Sequence, residues 1–292
     1  MAQIREIKKR IKAVANIKRI TRTMQMIATS KFARAQQSAT ATKPYTEGVF
    51  ELVQDLAATA GNITHPLIHG PDGGFKDGAK ELTLIMTSDR GLCGPYNGSV
   101  LRLAMKHLRE TDAGSGHTEL IGKKGVSFLR FNKIDVSNSY VLGDKPDYEE
   151  VARIAQDYMD KFTRGEISSV RVIYMRFLSV GRQKPEVLQL LPLKPPAVQK
   201  ESDSNISAQY EFSPSAAELL GDLLPQTVKA TLFQCINDAI VSEHVARMVA
   251  MKAATDNAGK MGKSLTRKFN RARQSQITTE LTEIISGAAA LE

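Results

Sequence analysis

Nowhere does the 292-residue chain approach the run of about 18 apolar residues that a membrane-crossing helix needs. Cysteine is nearly missing. Cys93 and Cys235 form no CxxC pair and are too few to staple a chain this long, which fits a reducing compartment and gives no sign of zinc or thiol redox chemistry. Proline is confined: all eleven lie between Pro44 and Pro225. This leaves a head of 43 residues with neither proline nor glycine, and a Pro-free tail of 67 residues whose only glycines are Gly259, Gly262 and Gly287. Because a proline inside a helix costs about 3 kcal/mol, its absence marks long helices. At 1.5 Å per residue these would be roughly 65 and 100 Å long, too long to lie inside a compact domain of this size.

Acid is scarce at the start. Residues 1–35 hold ten Lys and Arg against Glu6 alone, a balance of +9, which equals the charge of the whole chain and leaves the remainder neutral. A basic, acid-poor start resembles an organellar transit peptide, but there is no serine before Ser30 and the apolar pattern runs on past it. A working helix is the better reading.

What is present in the head is an apolar stripe: Ile4, Ile7, Ile11, Val14, Ile17, Ile20, Met24 and Ile27. Its mean spacing of about 3.3 falls short of 3.6 and predicts left-handed coiling about a partner. The tail answers with Val241, Val245 and Met248, then Met261, Leu265, Phe269 and Ala272, then Ile277, Leu281, Ile284, Ala288 and Leu291. Small residues between them, Ala250, Ala253, Ala254 and Ala258, permit close approach. The expected partnership is an antiparallel coiled coil of the two terminal helices.

Between them the pattern changes to alternating strands and helices. Strands are expected at 81–87, 118–122, 134–141, 170–177 and 187–193, and helices at 98–110, 123–131 and 147–164. That alternation implies an open, largely parallel sheet. The fold class is therefore α/β, a long antiparallel coiled coil with an inserted Rossmann-like open-sheet domain. The divisions are an N-terminal helix at 1–45, an α/β domain with linkers at 46–225 and a C-terminal helix at 226–292, with a turn-rich stretch at 192–225.

Three features invite a chemical reading. Gly262-Lys263-Ser264 spells the end of a P-loop, but Asn257 stands where that motif needs glycine and no strand precedes it. The segment Ser88-Asp89-Arg90-Gly91-Leu92-Cys93-Gly94 joins a strand to a helix, where anions often bind, though a tight βα turn serves equally. His65 and His69 are four apart, but Pro66, Gly70 and Pro71 argue against a helix there and no third zinc ligand is evident. No nucleophile with a fixed base partner can be located, so neither a catalytic site nor a cofactor or metal site is expected.

Both termini and the first turn closely resemble one family, the gamma subunit of the F-type rotary ATP synthase, its central rotor shaft. The resemblance is carried by Ile4-Arg5-Glu6-Ile7-Lys8-Lys9-Arg10-Ile11, by Ile20-Thr21-Arg22-Thr23-Met24-Gln25-Met26-Ile27-Ala28-Thr29-Ser30-Lys31, and by the turn at 88–94. Two tail blocks add to it: Ser242-Glu243-His244-Val245-Ala246-Arg247-Met248, and Asn270-Arg271-Ala272-Arg273-Gln274-Ser275-Gln276-Ile277-Thr278-Thr279-Glu280-Leu281. It spans the chain, and is weakest at 61–80 and 193–212.

The resemblance implies a non-catalytic subunit whose terminal helices form a shaft inside a ring of alpha and beta subunits. The α/β insert would form the base, bound to the epsilon subunit and the membrane c ring. By motif match, Arg247, Gln274 and Thr278 contact a beta-subunit catch loop, Met24 lies near the acidic lever region, and Lys8, Lys9 and Arg10 form the charged face. Tyr210 and Glu211 match the c-ring contact, and Ile284, Ile285, Ala288 and Leu291 an apolar bearing in the hexamer. The plastid version of the family carries a closely spaced cysteine pair; Cys93 and Cys235 are 142 residues apart, so disulfide control is not expected. With Met1 opening the first helix, the expected setting is the cytoplasmic face of a bacterial inner membrane, ahead of a mitochondrial one. Two readings compete: a nucleotide-hydrolysing enzyme relying on the turn at 88–94, and a nucleic-acid binder using the basic head, against which stands the near absence of stacking aromatics there, Phe32 alone.

Overall fold

The computed structural model describes residues 2–60, 65–71, 73–110, 116–194 and 216–289. Two long helices dominate it, α1 (Ala2–Ala60) and α6 (Ala216–Ala289). The chain divides into two compact units. One is made of residues 1–30 with 247–292, the other of residues 31–246.

In the two-helix unit the chains run antiparallel in constant register: Thr21 meets Thr255, Lys18 reaches the face of Gly259, and Val14 faces Gly262. The inward positions of the head are Ile4, Ile7, Ile11, Val14, Thr21, Gln25 and Ala28, and those of the tail Met248, Met251, Thr255, Ala258, Gly262, Leu265, Phe269, Ala272 and Gln276. Both follow a seven-residue repeat, the geometry of left-handed coiling. The expected stripe is corrected in detail. Ile17, Ile20 and Ile27 face solvent, as does Met261. Successive steps of three residues turn only 300°, so each carries the stripe about 60° off the seam. The seam stays on register by taking the smaller Thr21 and Ala28 instead.

Both helices also run through a proline, Pro44 in α1 and Pro225 in α6, where a boundary was expected. Each proline removes one ladder bond, roughly 3 kcal/mol. Beyond Pro44, however, Val49, Val53 and Leu56 are buried, and Leu220, Leu224 and Val228 are buried on both sides of Pro225. A buried aliphatic side chain is worth about 1.5–3 kcal/mol, so packing outweighs the break. Residues 216–225, expected as linker, are thus helical, and 195–215 lie outside the described residues.

The second unit is built on a five-stranded sheet in the order β3-β2-β1-β4-β5, with β1 (Lys80–Met86), β2 (His117–Ile121), β3 (Asn138–Tyr140), β4 (Ile167–Ser179) and β5 (Arg182–Leu191). All neighbours are parallel except β4 and β5, an antiparallel pair at one edge. On one face α5 (Tyr148–Thr163), the end of α1 and the start of α6 pack over Leu82, Leu84, Val170 and Val172. On the other, α3 (Tyr96–Glu110) and α4 (Lys123–Phe131) cover Ile85, Leu120 and Ile173. The strand expected at 134–141 shrinks to three residues because α4 ends on Lys133 in a left-handed conformation, with the Ile134 N–H returned to the Leu129 carbonyl.

Candidate functional site

The two-helix unit carries the chain's charge. Residues 1–30 and 247–292 together hold sixteen Lys and Arg against five Asp and Glu, +11, and leave −2 for the rest. The tail's share, Lys260, Lys263, Arg267, Lys268, Arg271 and Arg273, escaped the segment count because acids in 31–246 cancel it. A count over the last Pro-free segment alone reveals it. Two basic helices therefore pack on each other despite their repulsion. The apolar seam and its glycines hold them together, while the charge and a second set of apolar side chains face outward.

Lys8, Lys9 and Arg10 are exposed on this unit, with the Arg10 guanidinium on Glu6 one turn earlier at 2.5 Å. Met24 is half-buried beside Gln25. Gln274 and Thr278 are exposed one turn apart, and the Thr278 hydroxyl donates to the Gln274 backbone carbonyl at 3.0 Å. Arg247 is half-buried and lies 27 residues earlier, roughly 40 Å along the helix axis. One partner loop cannot touch Arg247 and Gln274 at once. Ile284, Ile285 and Ala288 are exposed, and among the described residues nothing faces 277–288. Leu291, Tyr210 and Glu211 lie outside the described residues.

In the sheet unit, the carboxyl end of β1 is where an open α/β sheet of this strand order binds ligands. Here the turn at 88–94 is closed on itself. The Ser88 N–H donates to Asn97 Oδ1 at 3.0 Å, the Asn97 amide donates back to Ser88 Oγ at 2.7 Å, and Ser88 Oγ donates to the Arg90 carbonyl, also at 2.7 Å. Across the turn, Asp89 Oδ1 accepts from the Lys123 N–H at 3.2 Å. Helix α6 covers the crevice with Ile236, Ala239, Ile240 and Glu243, leaving a cavity of about 90 Å³. Ligand pockets run roughly 300–1,000 Å³, so no nucleotide fits. Gly122 seals the second βα turn: a Cβ there would lie 2.0 Å from the Thr87 carbonyl oxygen.

The other candidates have structural uses. Gly262-Lys263-Ser264 lies within α6, and Gly262 faces Val14 in the seam. His65 Nδ1 accepts the Leu67 N–H at 3.2 Å and so caps a one-turn helix, α2 (Pro66–His69), where none was expected; Pro66 at its first position supplies the φ a helix start needs. Burial lowers the His65 pKa, in keeping with a neutral acceptor. Among the described residues no trio of His, Cys, Asp or Glu is placed to hold a metal ion. Both thiols are free and buried, and burial pushes Cys235 up to about 12.

Comparison with known proteins agrees with this geometry. A family model described as ATP synthase matches residues 3–291. The ATP synthase gamma chain of Rhodopirellula baltica is 41% identical over 302 residues, covering 100% of both chains, and that of Leptospira biflexa is 39% identical over 294 residues with the same coverage. In fold, the chain is similar to a chain of the Euglena gracilis mitochondrial ATP synthase OSCP/F1/c-ring structure in rotational state 3, with a TM-score of 0.66 at 15% identity, covering 99% of this chain and 95% of that one. A central stalk and c-ring structure from Tetrahymena thermophila gives a TM-score of 0.58 over 80% of this chain. A two-helix unit of net positive charge and a sheet whose crevice is plugged thus coincide with full-length similarity, and the chain belongs to the ATP synthase gamma-chain family.

Proposed function

We propose that the chain acts as the central stalk of an F-type ATP synthase, passing torque between the proton-driven c ring and the alpha/beta hexamer, with no catalytic site of its own. The observation that carries this reading is the +11 two-helix unit with outward isoleucines. Two helices of like charge repel each other, and a surrounding acidic protein surface offsets that repulsion in the assembled state while guiding contact without one fixed partner. Rotation then drives catalysis only where the contacts differ between angles, since a ligand equal toward all states shifts none of them. Arg247, Gln274 and Thr278 serve as beta-subunit contacts, with Arg247 on a different loop from the other two. Lys8, Lys9, Arg10 and Met24 face the acidic levers.

The segment 277–288 supplies the bearing through Ile284, Ile285 and Ala288, completed by Leu291. It carries Glu280 and Glu283 but no charge from Ile284 to Leu291, so no directional ion pair opposes turning there. The sheet unit meets the epsilon subunit, and Tyr210 and Glu211 meet the c ring. Among the described residues no helix is long and apolar enough to cross a membrane, which fits a peripheral place on the cytoplasmic face of a bacterial inner membrane. Size-exclusion of a native membrane extract tests the reading: the chain should elute with a large ATPase, and elution alone as a folded monomer overturns it.

A further inference from the structure

Within the sheet unit a cavity of about 480 Å³ opens between α1, the loop ahead of α5, and α6. Its size is that of a small-molecule site, roughly 300–1,000 Å³. Three cations line it, Lys31, Arg34 and Lys145, against a single carboxylate, Asp144. That carboxylate is already engaged: Lys31 Nζ lies 2.5 Å from Oδ2, and Nε2 of the buried His244 lies 3.5 Å from Oδ1. Arg34 and Lys145 are exposed and form no ion pair among the described residues, so the uncompensated charge of the cavity is positive.

Asn237, on α6, also lines the cavity and is only 4% exposed. Its amide nitrogen has no hydrogen-bond partner among the described residues. A buried donor left in this state is rare in folded proteins, where a bound molecule or an ordered water satisfies it. The wall between the polar groups is apolar, formed by Ala35, Pro146 and Ile240. A bare inorganic ion would leave that wall and most of the volume unused.

We propose that this cavity binds a small organic anion of the phosphate-monoester class. Arg34 and Lys145 hold the phosphate, Asn237 donates to its oxygens, and the organic body packs on Ala35, Pro146 and Ile240. Arginine suits this role because its planar fork presents parallel donors to phosphate oxygens. The site adjoins the filled crevice at the end of β1, sharing Asp144 and Ile240 with it, and it bridges two long helices and a loop, so occupancy stabilises the sheet unit through linkage.

Calorimetric titration of the full chain with AMP and with inorganic phosphate, at 0.1 M NaCl, tests this. AMP should bind one to one and at least tenfold tighter than inorganic phosphate. The double reversal Arg34→Glu with Lys145→Glu should weaken AMP at least tenfold, while Lys8→Glu with Lys9→Glu, the same charge change elsewhere, should leave it within twofold. Asp144→Asn, which removes the one carboxylate, should tighten it. Asn237→Leu should keep the wild-type Tm or raise it and still lose at least fivefold in AMP affinity. Absence of AMP binding, AMP no tighter than phosphate, equal losses in the two charge reversals, or unchanged affinity in Asn237→Leu each overturns the site.

Discussion

Thr255 donates its hydroxyl to Thr21 Oγ1 at 2.8 Å, across the seam of the two-helix unit, while Thr21 donates onward to the Lys18 carbonyl at 3.1 Å. Thr255 Oγ1 also lies 2.8 Å from the Met251 carbonyl, so its hydrogen is shared between two acceptors. A hydrogen-bonded pair in a largely apolar seam favours one register, because sliding either helix by a turn breaks the bond across the seam, although each hydroxyl keeps the carbonyl of its own helix. Thr255→Val should destabilise the full chain by about 1 kcal/mol, the net worth of a typical hydrogen bond. Thr21→Val with Thr255→Val together should recover most of that loss, since both polar groups then vanish. A double-mutant cycle on urea unfolding measures the coupling, and additive losses would show that the pair does not interact.

Ile20 is 56% exposed, whereas Val14, two turns earlier, is 8% exposed. The seam and the outer surface are therefore separable by mutation. Val14→Ala removes two methyl groups from the seam and should cost about 1–2 kcal/mol. Ile20→Ser should change the stability of the isolated chain by less than about 0.5 kcal/mol, as surface changes do. In the assembled complex the order should reverse, with Ile20→Ser lowering ATPase turnover more than Val14→Ala. A stability loss at Ile20 equal to that at Val14 would place Ile20 in the seam and undo the register derived from Thr21 and Thr255.

Sequence patterning located nearly every element of the sheet unit because its buried strands are runs such as Leu82-Thr83-Leu84-Ile85-Met86, flanked by turn residues. It also identified two long partner helices from missing prolines. The choice of face was less legible. Ile17 and Ile20 look like seam residues by chemistry, and only the facing Gly259 and Thr255 reveal that the seam passes through Lys18 and Thr21. Pro44 and Pro225 misled for a related reason: a local rule marks a break, and long-range packing of Val53, Leu56, Leu224 and Val228 overrules it. The filling of the crevice by Ile236, Ala239 and Ile240 lies beyond reach, since they are about 150 residues from the turn they cover.

Asp144 gives the sheet unit a pH dependence of definite sign. Burial alone would raise its pKa, but the hydrogen bond from Lys31 and the charges of His244 and Lys31 outweigh this and hold it below its ordinary 3.8. A carboxyl whose folded pKa is depressed contributes stability that is fully present above the unfolded value and is lost as pH falls through the folded value. The stability gap between wild type and Asp144→Asn should therefore be present above 3.8 and close as pH falls below it. Because the side chain is 50% exposed, solvent screening keeps the gap modest. Urea midpoints taken between pH 7 and pH 2 measure it, and a gap undiminished at pH 2 would assign the effect to packing.

The distance between Arg247 and Gln274 makes the proposed contacts separable. Lying roughly 40 Å apart on α6, they cannot share a partner residue, and changes at sites so distant add when they are independent. Arg247→Ala and Gln274→Ala should each lower coupled ATPase turnover of the assembled complex, by about tenfold for a charged hydrogen bond at Arg247 and about threefold for a neutral one at Gln274, following contributions of roughly 1.5 and 0.7 kcal/mol. The double variant should show the product of the two losses. Because Gln274 is exposed, its variant should retain the wild-type Tm, while half-buried Arg247 allows a small decrease. Turnover unchanged in both variants removes the assignment; a double variant no worse than Arg247→Ala alone would mean that both residues act on one shared step of the rotation, despite the distance between them.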